Sequence, residues 1–288
     1  MRSATDHRSA RAVLITGCSS GIGRATAIRL ASEGWTVVAT ARRIESIADL
    51  KSQGCAIMEL DVTSEASMAE AVRRVESQHG AVSVLVNNSG YSQSGSIETV
   101  PLDLVRAQFE TNVFGPARLT QLVLPGMRHQ RWGRVVNLSS MGGRLVFPGG
   151  GYYHATKYAI EALSDALRFE VQGFGIDVIV IQPGLIRTAF SATAVSGMAA
   201  AHDKPGVYDA FHAAVARATR ESYYKGSLAP LAGVPDDVAM VIAQALKARR
   251  PRTRYTVSRS ATVMMTLRRV LSDRLWDRLL SRAYPVPR

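Results

Sequence analysis

Seven short apolar runs, at residues 12–16, 36–40, 56–60, 83–86, 134–138, 177–181 and, more weakly, 254–257, are each continuous rather than alternating in hydrophobicity. A strand apolar at every position must be covered on both of its faces, which is the situation of a strand inside a parallel sheet. Between the runs lie amphipathic stretches at 25–32, 64–79, 102–127 and 152–172. Strands alternating with helices close into right-handed β-α-β units. The expected fold class is therefore α/β: a doubly wound parallel sheet of about seven strands with helices on both faces. A chain of 288 residues can bury a core of that size. No internal repeat, low-complexity linker or early composition break divides it, so residues 1–288 are expected to form a single domain.

Residues 189–233 break the rhythm. They are rich in Ala, Gly, Ser and His, with Tyr208, Phe211, Tyr223 and Tyr224 spread through them. Ligands of open α/β sheets bind beyond the carboxyl ends of the strands, where this segment begins. It reads as a substrate lid, or else as a pair of surface helices.

The chain carries a net charge of +12. Residues 249–288 hold eleven Arg against Asp273 and Asp277, a net +9, which leaves the other 248 residues nearly balanced at +3. Within residues 258–288 the Arg residues interleave with Met264, Leu267, Leu271, Leu275 and Leu279, near helical spacing, with Ser272-Asp273 placed to start a second short helix. This basic amphipathic extension reads as an end-piece packed on the body, with peripheral contact to a membrane surface or docking to a partner as the alternatives. Nucleic acid is not expected, since the basic residues do not interleave with aromatics on a compact surface. Cys18 and Cys55 are the only cysteines, which excludes a disulfide framework or cysteine-rich zinc module and fits a reducing, cytoplasmic setting. No metal is called for. No apolar run is long enough to span a bilayer, and the first residues lack a secretory apolar segment.

The first strand runs into Thr16-Gly17-Cys18-Ser19-Ser20-Gly21-Ile22-Gly23, and a helix follows. Gly17 permits the tight exit from the strand. Gly21 and Gly23 let backbone approach a pyrophosphate seated on the helix start, where free N–H groups and the dipole favour anions. A glycine turn in the first β-α unit points to a dinucleotide and a Rossmann-type sheet. NAD-preferring sites place a carboxylate at the end of the second strand. Here that strand ends Thr40-Ala41-Arg42-Arg43, offering two guanidiniums to a 2′-phosphate, so NADP(H) is favoured over NAD(H), unless both are merely solvated loop charges.

Tyr153 and Lys157 stand four residues apart at the start of a helical stretch and so share a face. An ammonium beside a phenol favours the phenolate, suiting it to exchange a proton with an alcohol oxygen.

With that pair in view the chain resembles the classical short-chain dehydrogenases/reductases over roughly residues 10–190. The matching motifs are Thr16-Gly17-x-x-x-Gly21-x-Gly23, Asp61-Val62, Asn87-Asn88-Ser89-Gly90, Thr111-Asn112-Val113, Ser139-Ser140, Tyr153-x-x-x-Lys157 and Pro183-Gly184-x-x-x-Thr188. The resemblance implies a catalytic tetrad of Asn112, Ser140, Tyr153 and Lys157. Tyr153 would be the general acid/base, and Lys157 would hold the nicotinamide ribose and lower the phenol's pKa. Ser140, chosen over Ser139 by its separation from the tyrosine, would orient the substrate oxygen. Asn112 would kink its helix and anchor a water for a proton relay. It further implies cofactor contacts from Gly17, Ser19, Ser20, Gly21, Ile22 and Gly23. Asp61 and Val62 would frame the adenine, Asn88 and Gly90 would support the cofactor, and Pro183, Gly184, Ile186 and Thr188 would face the nicotinamide. Two departures, Ser89 in place of the commoner alanine and Cys18 in place of a smaller residue, remove no catalytic group.

The implied activity is NADP(H)-dependent hydride transfer between nicotinamide and a carbonyl or secondary alcohol. The long aromatic-bearing insertion and apolar tail resemble members acting on hydrophobic, steroid-, retinoid- or lipid-like small molecules. A reductase of 3-oxoacyl thioesters on an acyl carrier protein is the rival, and a catalytically silent NADP(H)-binding sensor or scaffold the alternative outside enzymes. The resemblance also implies a homodimer or homotetramer.

Overall fold

A computed structural model describes residues 11–200, 206–225 and 228–287. The apolar runs form β1 (Ala12–Ile15), β2 (Thr36–Ala41), β3 (Ala56–Glu59), β4 (Val82–Asn87), β5 (Gly133–Leu138), β6 (Ile176–Pro183) and β7 (Arg254–Val257). All pair in parallel, in the order β3-β2-β1-β4-β5-β6-β7. The chain winds outward from β1 in one direction and then, from β4, in the other. That reversal opens a crevice at the carboxyl ends of β1 and β4.

The continuous apolar runs have the cause expected of them. Val13 and Ile15 face a core shared with α1 (Gly21–Ser32) and α8 (Pro235–Lys247), through Ala27, Leu30, Val238 and Ile242. Ala12 and Leu14 face the opposite core, with α2 (Glu65–His79) and α4 (Gly115–His129) supplying Met68, Val72, Leu119 and Val123. Both sets are fully buried, each large side chain contributing about 1.5–3 kcal/mol by leaving water.

The stretch 102–127, read as one amphipathic run, is broken. It comprises α3 (Leu102–Phe109), a π-helical turn at Glu110–Phe114, and α4. Two residues explain the break. Pro116 has no N–H to return to the carbonyl of Asn112. A Cβ at Gly115 would stand 2.4 Å from the Val62 carbonyl oxygen, so the helix passes that close only as glycine. The Gly115 N–H reaches back five residues, to the Glu110 carbonyl. Next, α5 (Gly151–Val171) carries Tyr153 and Lys157.

In the insertion, α6 (Phe190–Ala200) and α7 (Asp209–Glu221) pack on each other; residues 201–205 and 226–227 of the 189–233 segment lie outside the described residues. The helices are pinned to the loop after β4: Gln93 Nε2 donates to the Gly197 carbonyl at 2.9 Å, and the Tyr208 hydroxyl to Glu98 at 2.6 Å. Gly149, before α5, lies so near α7 that a Cβ there would stand 2.6 Å from Val215.

The extension forms α9 (Arg259–Val270) and α10 (Asp273–Leu280). The stripe expected on one face is corrected at two positions. Met264 is buried, but Leu267 is exposed, and beyond the break Leu275 is 46% exposed while Trp276 is 4% exposed. The chain leaves helical geometry at Leu271 and resumes after Ser272, which resets the phase. Ser272 makes no side-chain cap bond. Trp276 joins Met141, Leu145, Leu185, Ala261 and Met264 in one cluster and donates its indole N–H to the Val146 carbonyl at 3.4 Å. Trp276→Ala should cost about 3–5 kcal/mol of stability, as large-to-small core substitutions do, and urea denaturation would measure it. Among the described residues, no helix is long and apolar enough to cross a membrane.

Candidate active site

The crevice begins at the glycine turn. Gly17 and Gly21 hold φ of +72° and +57°, conformations natural to glycine. Asn88, at the end of β4, staples the turn: its Nδ2 donates to the carbonyls of Thr16 at 2.8 Å and Gly17 at 3.1 Å. Thr16 Oγ1 accepts the backbone N–H of Asn88 at 3.0 Å and of Ser89 at 2.9 Å. Gly23 serves this packing, for a Cβ there would stand 2.4 Å from both the Gly17 carbonyl oxygen and Asn88 Nδ2. At Gly21 the nearest atom to such a Cβ would be Thr188 Cγ2, at 3.4 Å, so Thr188 faces the turn from across the crevice. Ser19 and Ser20 are exposed, Ile22 is half-buried, and no side chain caps the start of α1.

Arg42 and Arg43 are both exposed just past β2, and neither forms an ion pair among the described residues. Arg42 lies near enough to Tyr91 to favour its phenolate against the effect of burial. Arg24, on α1, is already paired with Asp49. Asp61 Oδ1 accepts from the N–H of Thr63 at 2.9 Å and its hydroxyl at 2.8 Å, holding the loop after β3, while Val62 is buried against Gly115. Two residues after β6 are tightly packed. A Cβ at Gly184 would strike the start of α9, 2.6 Å from the Ala261 nitrogen, and Ile186 is buried and bridged to Gly233. Pro183 is buried and offers its carbonyl to the Ser140 hydroxyl at 3.5 Å.

The crevice continues to the tetrad positions. A Cβ at Gly90 would lie 3.1 Å from Asn112 Oδ1 and 3.8 Å from Lys157 Nζ. Asn112, in the π turn, is 1% exposed; it accepts from the Tyr91 N–H at 3.1 Å and donates to Thr156 Oγ1 at 3.1 Å, joining the β4 loop to α5. Lys157 Nζ donates to the Leu138 carbonyl at 2.7 Å and sits 5.7 Å from the centre of the Tyr153 ring. Of the two serines, Ser139 is buried with no partner for its hydroxyl among the described residues, whereas Ser140 faces Tyr153 and accepts the Gly142 N–H at 3.0 Å.

Burial pushes the Tyr153 phenol above its ordinary value, with the Ser140 hydroxyl pulling the other way. Burial brings the Lys157 amine down to about 8, against the pull of Glu161. His154, buried beside Tyr153, is lowered to about 4 and is neutral, its Nδ1 3.1 Å from the Gly142 carbonyl oxygen. Around the phenol stands an apolar wall: Phe190 with ring centres 5.3 Å apart, Tyr223 close enough to disfavour the phenolate, and Met141 and Leu185 behind. Phe190, His154 and Tyr91 escaped the sequence reading, although His154 and Tyr91 directly neighbour motif residues and Phe190 lies two beyond Thr188.

The residues fit a nicotinamide dinucleotide. An uncapped helix start and a turn framed by Gly17 and Gly21 can take phosphates, and Lys157 and Tyr153 stand at the far end of the same crevice.

Residues 11–199 match the family model for short chain dehydrogenases. The chain belongs to that family and is an oxidoreductase with a nucleotide-binding fold. Among relatives, it is 39% identical over 180 residues to the 3-ketodihydrosphingosine reductase of Bacteroides thetaiotaomicron, covering 62% of this chain and 65% of that one, just short of two thirds of its length. A short-chain dehydrogenase from Streptomyces avermitilis superposes with a TM-score of 0.75 at 33% identity, over 93% of this chain and 95% of the other. A serine dehydrogenase solved with NADP+ superposes with a TM-score of 0.74 at 26% identity, over 86% and 94%. A Burkholderia phymatum family member solved with NAD shares the fold, with a TM-score of 0.77 at 23% identity, over 96% and 97%.

Proposed function

We propose that this chain is an NADP(H)-dependent oxidoreductase that moves a hydride between nicotinamide and the carbonyl or carbinol carbon of a hydrophobic, lipid-like small molecule. The observation that carries the reading is the meeting of Tyr153, Ser140 and Lys157 at the end of a glycine-lined crevice, under a wall of Phe190, Tyr223, Met141 and Leu185. The lipid-like substrate class draws further support from the name of the Bacteroides relative.

Bound nicotinamide supplies or accepts the hydride. Tyr153, whose burial favours the protonated phenol, donates a proton to the carbonyl oxygen, and in the reverse direction removes it. Ser140 turns its hydroxyl toward that oxygen and polarises it. Lys157 uses one of its three protons on Leu138 and has two left for the ribose hydroxyls of the cofactor. Its charge stabilises the phenolate left after proton transfer. Asn112, with a carbonyl that Pro116 cannot cap, is suited to anchor a water that returns a proton through Lys157.

Gly17, Gly21 and the start of α1 take the pyrophosphate, Asp61 and Val62 border the adenine, and Ile186 and Thr188 border the nicotinamide. Arg42 and Arg43 take the 2′-phosphate. Replacing both by Ala should weaken NADPH by about tenfold or more relative to NADH, the loss of a charge-assisted pair costing about 1.5–3 kcal/mol. Fluorescence titration with both cofactors checks this, and an unchanged ratio overturns the assignment. NADPH oxidation across a panel of long-chain, steroidal and short ketones, and of 3-oxoacyl thioesters, tests the substrate class. The exposed Phe114, Leu163 and Phe169 suit subunit contacts of a homodimer or homotetramer, which solution mass reports. The outward Arg269, Arg274 and Arg278 give the extension a basic outer face, whose contact with anionic liposomes sedimentation reports.

A further inference from the structure

One turn beyond Lys157 on α5, Glu161 is 4% exposed, a buried carboxylate at the junction of four elements. On one side Arg144, from the loop that carries Ser140, approaches it to 3.2 Å. From β7, Arg254 donates to it at 2.9 Å, and from β6, Gln182 donates at 2.9 Å. The loop is pressed close, for a Cβ at Gly143 would stand 2.9 Å from Glu161 Cγ and 3.1 Å from the Lys157 carbonyl oxygen.

Burying a charge to hold a loop is an expensive device, because apolar residues of like volume usually hold it as well or better. What an apolar residue cannot supply is a negative charge on the face of α5 that bears Lys157, itself 6% exposed. We propose that Glu161 is a positioning residue for catalysis: it clamps the Ser140 loop to α5 and supplies the charge that keeps Lys157 an ammonium.

The other charges nearby make the direction definite. From α5 itself come Tyr153 and neutral His154, together with Asp165, which pairs with Arg254 at 2.7 Å and with Arg168 at 2.8 Å. The loop and β7 contribute the cations Arg144 and Arg254, and the segment after α7 contributes only the phenol of Tyr223. Glu161 favours the protonated Lys157 against burial. Without its charge the cluster beside Lys157 keeps the guanidiniums of Arg144 and Arg254 with Asp165 as their remaining acid among the described residues, and like charges disfavour an ammonium form.

This inference rests on the reductase reading, so its test includes a readout that needs no turnover. Competitive acetylation of the purified full chain across a pH series, with mass mapping of the Lys157 peptide, gives the titration midpoint of that amine. Glu161→Gln should lower the midpoint by about one pH unit. The high-pH limb of kcat for ketone reduction should move down with it, and Glu161→Asp should largely restore both. Arg144→Gln, a second variant should the first fail to fold, takes away a cation and should raise the midpoint. A Glu161→Gln protein that loses stability or activity equally at every pH, with the Lys157 midpoint unmoved, overturns the proposal in favour of a purely structural clamp. An enzyme inactive on every ketone while the midpoint shifts as expected would instead defeat the reductase reading and leave the Glu161–Lys157 coupling standing.

Discussion

Tyr153→Phe should reduce turnover by about 10²–10⁴-fold, the range that general acid/base groups contribute, while NADPH still binds within a few-fold of wild type. The substitution removes one oxygen and keeps the ring. Its contacts with Phe190 and His154, at 5.3 and 5.6 Å between ring centres, are retained, so the wall of the pocket stays in place. Lys157 keeps its bond to the Leu138 carbonyl. The buried hydroxyl therefore bears the whole effect, and steady-state kinetics with cofactor titration would show it. Turnover close to wild type would mean that another group handles the proton.

Gly23→Ala should raise the Kd for NADPH by about 100-fold, equivalent to about 3 kcal/mol. The added Cβ would sit 2.4 Å from the Gly17 carbonyl oxygen and 2.4 Å from Asn88 Nδ2. One of those atoms is backbone, and the other is tied by two hydrogen bonds to the turn it would have to leave. Relief requires moving α1 away from the turn, which dismantles the phosphate cradle between them. Gly173→Ala is the matched control. It meets nothing within 4 Å and carries no positive φ, so binding should not change. Equal affinity in the two variants would show that the turn can open without loss of the cofactor.

The sheet was legible because its five inner strands are covered on both faces, leaving unbroken apolar runs in the sequence. Even the weak run at 254–257 forms a strand, paired in parallel with β6. Helix phase was less legible. Periodicity read through Leu271 and Ser272 put Leu275 inward, but a break in a helix restarts the count, and Trp276 took the place. The π turn at Glu110–Phe114 was legible in part, through the kink expected at Asn112, but the contact between Gly115 and Val62, fifty-three residues earlier, is recorded by no local pattern. The same holds at the site. Tyr153, Lys157 and Ser140 could be named because their motifs are short and ordered along the chain. Glu161 could not, since its partners Arg144, Gln182 and Arg254 come from three separate elements.

The ring of Trp276 touches Phe147 at 6.2 Å between centres, Phe147 touches His154 at 6.0 Å, and His154 touches Tyr153 at 5.6 Å. Thus α10 finishes the surroundings of a side chain made more than a hundred residues before it. Until it docks, Met141, Leu145 and Leu185 lack their cover, and a nascent chain presents a sticky apolar face beside Ser140. Such distant contacts slow folding and lengthen that exposure. Premature termination before residue 259 therefore yields an aggregation-prone product rather than a smaller working enzyme, and a dye that reports exposed apolar surface would register it.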